Sequence, residues 1–401
     1  MFNSLKFKVI LFGFIFTFFS SFGQSYFLGL FNSSIREALS ITHGQFGSIY
    51  ASATLCSSLL LIWVGKKIDD VNIFKFAFFV TVLLSFACFF FSRITSVFLL
   101  FVAIFLMRFS GQGMMSHTAS TTISRYFTRT RGKALSISWF GLSSAEFIMP
   151  VLMVYLLTII DWQNLWLIFS ITVLIVLPIA SFLLIKNLNL DSREANDENI
   201  KEVEIKQWKR IEVIKDYRFY IISSNMLAMP WIFTGFAVFQ SFVQTSKGWG
   251  PYVIAQSFMS YSIFSVLTLF LSGFLIDKFT SRKLLIYMNI PLLLSVIVLF
   301  FFDTPVTAFV FLGLVGISNG FANILGSSTW AELYGVKYLG SIKALTTALM
   351  VFATAFGTAL FGYLIDTGFT VGDIAVVSGT YIFISLILLF FVRKKLNPVI
   401  I

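Results

Sequence analysis

Cysteine, histidine and charge are all scarce in this chain, and each scarcity closes off a class of function. The only cysteines, Cys56 and Cys88, lie inside apolar runs, so they do not form a disulfide framework. The only histidines, His43 and His117, are far apart, and no paired-cysteine motif accompanies them. The metal or nucleophile cluster that a membrane-embedded enzyme needs is missing, so the reading is of a non-enzyme with no metal and no cofactor. Charged residues are 12% of the chain, against about 25% in soluble domains. A net charge of +11 would suit a nucleic-acid partner, but the basic residues gather in alternate loops, which excludes that reading.

What is abundant is apolar: 58% of residues are hydrophobic and 51 are Phe. A bilayer span needs about 20 apolar residues. Runs of that kind stand at 9–31, 45–64, 74–92, 97–124, 134–159, 165–185, 219–245, 252–275, 284–302, 306–329, 344–365 and 374–392. Twelve spans with short loops use nearly the whole chain. Lys6 and Lys8 precede the first run as in a signal peptide, but the run is too long for an h-region and reads as a permanent span.

Almost every Lys and Arg falls on one side of these spans, including Lys66, Lys67, Arg125, Arg131, Arg282 and Arg393, whereas the other side has only Arg36, Arg93 and Lys247. The positive-inside rule then places both termini in the cytoplasm, in the inner (cytoplasmic) membrane of a bacterial-type cell. One long polar stretch, 186–218, reads as a cytoplasmic linker with a surface helix near 200–215. It separates an N-terminal six-helix bundle, 1–185, from a C-terminal one, 219–401.

The halves repeat. Gly65 and Asp69 follow the second span, and Gly273 and Asp277 follow the eighth at an offset of 208. Tyr126 after the fourth span returns as Tyr334 after the tenth, at the same offset. Duplicated halves are a transporter device.

At these residues the sequence resembles the major facilitator superfamily, whose members carry G-x-x-x-D-[RK]-x-G-[RK]-[RK] between helices 2 and 3, often echoed between helices 8 and 9. The first copy keeps Gly65, Asp69 and Lys75, with Asp70 and Asn72 at usually basic and Gly positions. The second keeps Gly273, Asp277, Lys278, Arg282 and Lys283. Arg108 to Gly113 is similar in part to the family's R-x-x-x-Q-G motif, and Trp330–Gly335 and Gly362–Gly368 resemble the monocarboxylate-transporter and oxalate/formate-antiporter branch. That branch often holds a carboxylate with cations in helix 8 or 11, and neither 252–275 nor 344–365 contains Lys or Arg. The resemblance implies two six-helix bundles, alternating access, and a cavity lined by helices 1, 4, 7 and 10. It also implies latches at the cytoplasmic face, with Asp69 meeting Arg125 or Arg131 and Asp277 acting likewise in the other half.

Charge inside the bilayer is costly and marks function or a partner. Arg108 and Glu146 are the two fully ionised residues deep in spans, on antiparallel neighbours that could meet. They read either as a structural ion pair or as a substrate anchor and proton switch. Gln112 lies one turn beyond Arg108, whereas His117, nine residues on, falls on the opposite face and reads as a packing or hydrogen-bonding histidine. The polar residues of the cavity helices are Gln24, Tyr26, Asn225, Gln240, Gln244, Asn319 and Asn323, each a substrate contact or interhelical glue. The reading is a monomeric secondary transporter of a small organic solute, a carboxylate being one candidate and protons a candidate coupling ion. A drug or metabolite efflux antiporter of the same fold and a non-transporting sensor or scaffold are the rivals.

Overall fold

The computed structural model describes residues 5–127, 130–186 and 206–398, and the side chains of Asp69, Arg131, Asp277 and Ser327 lie outside the described set. Described residues are helical with no strand. Twelve helices are long and apolar enough to cross a membrane. They are Leu5–Gly29, His43–Ile68, Ile73–Phe91, Val97–Tyr126, Gly132–Leu156, Trp162–Ile185, Tyr217–Val238, Pro251–Ile276, Ser281–Phe301, Pro305–Tyr334, Leu339–Asp366 and Val371–Lys395, here spans 1 to 12. Each coincides with one predicted run. Most of the linker predicted at 186–218 falls outside the described residues. Its described part carries a short helix, Arg210–Lys215, and span 7 begins at Tyr217.

Local signals set the boundaries. Span 2 opens on a capping box: Thr42 Oγ1 accepts from the Gln45 N–H at 3.2 Å, and Gln45 Oε1 accepts from the Thr42 N–H at 2.9 Å. Thr370 and Asp373 open span 12 in the same way. Span 10 starts with Pro305 and stops at Gly335, whose φ of 82° suits only a residue without Cβ. Large apolar side chains point outward along the spans, among them Trp63 at 73% exposure and Phe274 at 75%. Water would penalise such a surface, whereas lipid does not.

The chain divides into two compact units, Met1–Asn199 and Ile200–Ile401. In the first, span 1 packs on span 5, span 2 on span 4, and span 3 on span 6. A Cβ on Gly141 of span 5 would stand 2.1 Å from the Phe14 carbonyl oxygen of span 1, so only glycine permits that crossing. Spans 3 and 6 are joined by reciprocal bonds: Ser85 Oγ donates to the Ser170 carbonyl at 2.9 Å, and Ser170 Oγ donates to that of Ser85 at 2.8 Å.

The second unit pairs 7 with 11, 8 with 10, and 9 with 12, the same scheme shifted by six. Gly357 here matches Gly141, since a Cβ would stand 2.1 Å from the Trp231 carbonyl oxygen. Gly316 plays the same part between spans 8 and 10, 2.3 Å from the Tyr261 carbonyl oxygen.

Several of the predicted runs are not continuous α-helices, contrary to the sequence reading; span 9, for one, is interrupted at Asn289 (φ −103°, ψ 3°). Span 1 tightens to a 3₁₀ turn at Ser21–Gly23, becomes extended at Gln24 (φ −80°, ψ 151°), and resumes as helix at Ser25. Span 4 widens to a π-helix over Arg108–Met115. Span 7 ends at Val238, and Phe239 (φ −104°, ψ 27°) sets off Gln240–Ser246 as a separate short helix.

Candidate functional site

The break in span 1 and the π-segment of span 4 meet at two glycines. A Cβ on Gly23 would lie 2.3 Å from the Gln112 backbone nitrogen, and one on Gly111 would lie 2.7 Å from that of Gly23. A cluster of Phe22, Phe27, Phe91, Trp166 and Phe169 holds the resumed helix, with Phe22 and Phe169 stacked at 4.9 Å and the rings of Phe91 and Trp166 tilted against each other at 4.5 Å.

Breaking a helix releases backbone acceptors. Phe27 and Leu28 both donate to the Gln24 carbonyl, so the Gly23 carbonyl accepts no bond from the resumed helix. Arg108 supplies the missing donor. Its Nη1 donates to the Gly23 carbonyl at 3.0 Å and to Ser25 Oγ at 3.3 Å, and its guanidinium carbon lies 5.4 Å from the Tyr50 ring centroid. Tyr50 in turn donates its hydroxyl to Ser25 Oγ at 2.9 Å. Arg108 is 2% exposed. Among the described residues no carboxylate pairs with it, and its Nε has no acceptor. An arginine at mid-span costs roughly 2.5–3.5 kcal/mol on insertion scales, and charge-assisted bonds return about 1.5–3 kcal/mol each. The protein therefore offsets the burial while leaving the guanidinium Nε without an acceptor.

Glu146 does not pair with Arg108, which corrects the ion-pair reading. It is also buried, at 8% exposure, and its electrostatic neighbour is Tyr26, in the resumed helix of span 1. No hydrogen bond or ion pair reaches its carboxyl among the described residues. Arg108 is thus bonded to residues 23 and 25 of the break, whereas Glu146 has only an electrostatic neighbour there, Tyr26. Gln24 and Gln112, both half-buried, lie at this crossing. Ser25 and Tyr50 were missed from sequence. Their only signal is a hydroxyl inside an apolar run.

The predicted polar lining of the second unit splits three ways. Asn319 and Asn323 line an open cavity of about 890 Å³ with Ser223, Thr346, Met226 and Trp330, and Asn319 Nδ2 donates to Ser265 Oγ at 2.9 Å. Gln240 leaves that group because the break at Phe239 carries it into a separate, apolar cavity with Phe236 and Trp249. Asn225 does not line the cavity of Asn319 and Asn323. Its carbonyl accepts from Asn289 Nδ2 at 2.5 Å and its Nδ2 faces Ser385 Oγ at 3.5 Å, so it is interhelical glue toward spans 9 and 12.

At the end of the spans that is rich in Lys and Arg, the latches differ from expectation. In the first unit His117 bonds the Gly65 carbonyl at 3.0 Å, and Arg125 Nη1 donates to that of Ile68 at 3.0 Å. The side chains of Asp69 and Arg131, predicted latch members, lie outside the described set, as does that of Asp277. In the second unit Arg282 pairs with Glu332 at 2.9 Å, and Glu332 also accepts from the Ser281 N–H. Glu332 lay unremarked inside the Trp330–Gly335 motif. Lys278 faces the Phe279 ring at 5.3 Å, and Gly273 has open space at its Cβ position, so neither is a latch contact among the described residues. A buried pair, Asp216 with Arg218 at 2.8 Å, sits beside them, and Tyr334 donates to the same carboxylate at 3.1 Å. No group of three or more metal-ligating side chains occurs among the described residues.

Residues 13–259 match the Major Facilitator Superfamily. The chain belongs to that family of membrane transporters. Solved structures agree on the fold. A bacterial homolog of the human lysosomal transporter Spinster, inward-facing and unoccupied, aligns over 98% of both chains with a TM-score of 0.75 at 14% identity. The nucleoside transporter NupG aligns over 98% of this chain and 99% of its own, with a TM-score of 0.69 at 15% identity. No curated protein matches the sequence.

Proposed function

We propose that this member of the family is a secondary active transporter of a small organic anion, with Arg108 holding the anionic group. The observation that carries the reading is a buried guanidinium with no carboxylate partner among the described residues, its Nε left without an acceptor. A carboxylate fits because it accepts two parallel bonds from a planar guanidinium. The monocarboxylate and oxalate/formate branch often places its cations in helices 8 and 11, where residues 252–275 and 344–365 of this chain have none, so here the anchor falls to Arg108 in span 4. The experiment is a thermal-shift screen of detergent-purified protein against short carboxylates, nucleosides, sugars and lipophilic cations. A native-state ligand at about 100 times its dissociation constant stabilises by about 2.7 kcal/mol. Carboxylates should raise Tm in the wild type and not in Arg108→Gln; stabilisation that survives the substitution removes the anchor role.

Glu146 is the coupling candidate, a lone buried carboxyl beside Tyr26, with the proton as the coupled ion. Uphill uptake that continues unchanged in Glu146→Gln would sink this assignment. Asn319 and Asn323 serve as neutral hydrogen-bonding contacts for the solute. The transporter works by alternating access as a monomer between two six-span bundles, with both termini cytoplasmic in the inner membrane, as the placement of Lys and Arg supports.

A second reading, efflux of a lipophilic drug or metabolite, has its own observation. Met226, Met229, Met288 and Met350 line the second-unit cavity with Phe233 and Trp330, an adaptable apolar wall. Lipophilic cations raising Tm where carboxylates do not would favour it, and a non-transporting scaffold would show no saturable ligand at all.

A further inference from the structure

The segment leading into span 7 has two apolar faces. In the helix Arg210–Lys215, Val213 is fully buried in the cluster around Trp330 and Tyr334. Ile211 is 66% exposed, and Ile214, three residues on and so on the same face, is exposed as well. Tyr217 and Tyr220, in the first turn of span 7, are also exposed. Outward isoleucines beside tyrosines at the end of a span are the composition of the membrane–water interface.

The charges around this face are not balanced. Both acids of the segment are occupied: Glu212 pairs with Lys206 at 2.9 Å and accepts from the Lys209 N–H at 2.8 Å, and Asp216 is bound to Arg218. Exposed Arg210 and Lys215 have no acidic partner among the described residues. Arg218 Nη1 donates to the Asn397 carbonyl at 2.8 Å and faces that of Lys395 at 3.4 Å, which draws the end of span 12 alongside. Leu396, 1% exposed in the same buried cluster, anchors it there. Arg393, Lys394 and Lys395 are exposed at that end, again with no acidic partner among the described residues. Two stretches far apart in sequence therefore gather five cations beside one apolar face.

We propose that this face of the second unit binds anionic phospholipid headgroups, with Ile211 and Ile214 seated at the acyl boundary. Free phosphate would use the cations but not the isoleucines, whereas a lipid uses both, and basic clusters at the end of a span attract anionic leaflets.

The test uses full-length, delipidated protein in detergent, titrated with phosphatidylglycerol, phosphatidylcholine or inorganic phosphate, reading Tm and lipid retention by native mass spectrometry. Phosphatidylglycerol should stabilise the wild type and remain bound, while the other two leave Tm unchanged. In R210Q/K215Q/K394Q/K395Q its apparent affinity should fall roughly tenfold or more. Raising salt from about 0.1 M to about 1 M, which shortens the Debye length from about 10 Å to about 3 Å, should weaken it in the wild type and needs no variant. Equal stabilisation by phosphatidylcholine, equal stabilisation by phosphate, or undiminished retention in the quadruple variant would each overturn the proposal.

Discussion

The two units share a packing scheme and differ in where they keep charge. The first holds Arg108 and Glu146 deep in its spans, at a broken helix, with no ion pair between them. The second has no ionised residue at mid-span among the described residues. Its ion pairs among the described residues, Lys206 with Glu212, Asp216 with Arg218, Lys247 with Asp303 and Arg282 with Glu332, stand at or beyond the ends of the spans. Duplication preserved what glycine contacts and helix pairing dictate, and left side-chain chemistry free to diverge. Buried unpaired charge suits recognition of a charged solute, whereas paired charge at the span ends suits fastening.

The comparison is tested hardest by its arginines. Arg108→Gln should lower solute affinity by at least a hundredfold while the folded protein persists. Arg218→Gln should leave affinity intact but lower stability by about 3 kcal/mol, because Asp216 stays buried without its partner. Titration calorimetry and denaturant melts on both variants check the crossover, and similar losses of affinity in the two would erase the distinction.

Next comes the shared frame. Gly141→Val and Gly357→Val should each cost about 3 kcal/mol or more, since both push Cβ against a backbone carbonyl that cannot retreat. Gly326→Ala, with open space around its Cβ position, should be nearly neutral. Melting temperatures of the three decide whether the halves are equally intolerant.

A smaller effect is expected at Tyr50. Tyr50→Phe keeps the ring under the guanidinium but removes the bond to Ser25, so affinity should drop about fivefold, on the order of 1 kcal/mol. An unchanged dissociation constant would show that Ser25 needs no second donor.

The smallest concerns Glu212, whose carboxyl is held below the usual range by the Lys209 backbone N–H and by Lys206. Its folded value is depressed, so its contribution is present above the unfolded value of about 4.3 and is lost as pH falls through the folded one. Circular dichroism between pH 3 and pH 6, set about that value, should show a slight acid-side loss of helix in the wild type and none in Glu212→Gln.

Span positions were legible because a membrane span announces itself by length and apolarity, and twelve runs became twelve spans. The candidate residues of the first unit were legible for a related reason, as a charge inside an apolar run is conspicuous. Their partners were not. Arg108 is fastened to a backbone carbonyl that exists as a free acceptor only because span 1 breaks at Gln24, and hydrophobic pattern carries no record of φ and ψ. The same blindness put Gln240 on an unbroken span 7 and gave Asn225 to the cavity, although its bonds run to Asn289 and Ser385. Glu332 drew no notice in the sequence, and only folding brings it to Arg282.

The reciprocal serine bonds between spans 3 and 6 act as a shear pin. Each hydroxyl grips the opposite backbone, so neither helix can slide past the other without losing both bonds at once in a medium that offers no replacement. Compliance in the first unit must then reside where the helical ladder is already interrupted, at Gln24 and in the widened turn beginning at Arg108. The residue proposed to hold the solute would thereby sit on an interrupted joint of an otherwise pinned frame.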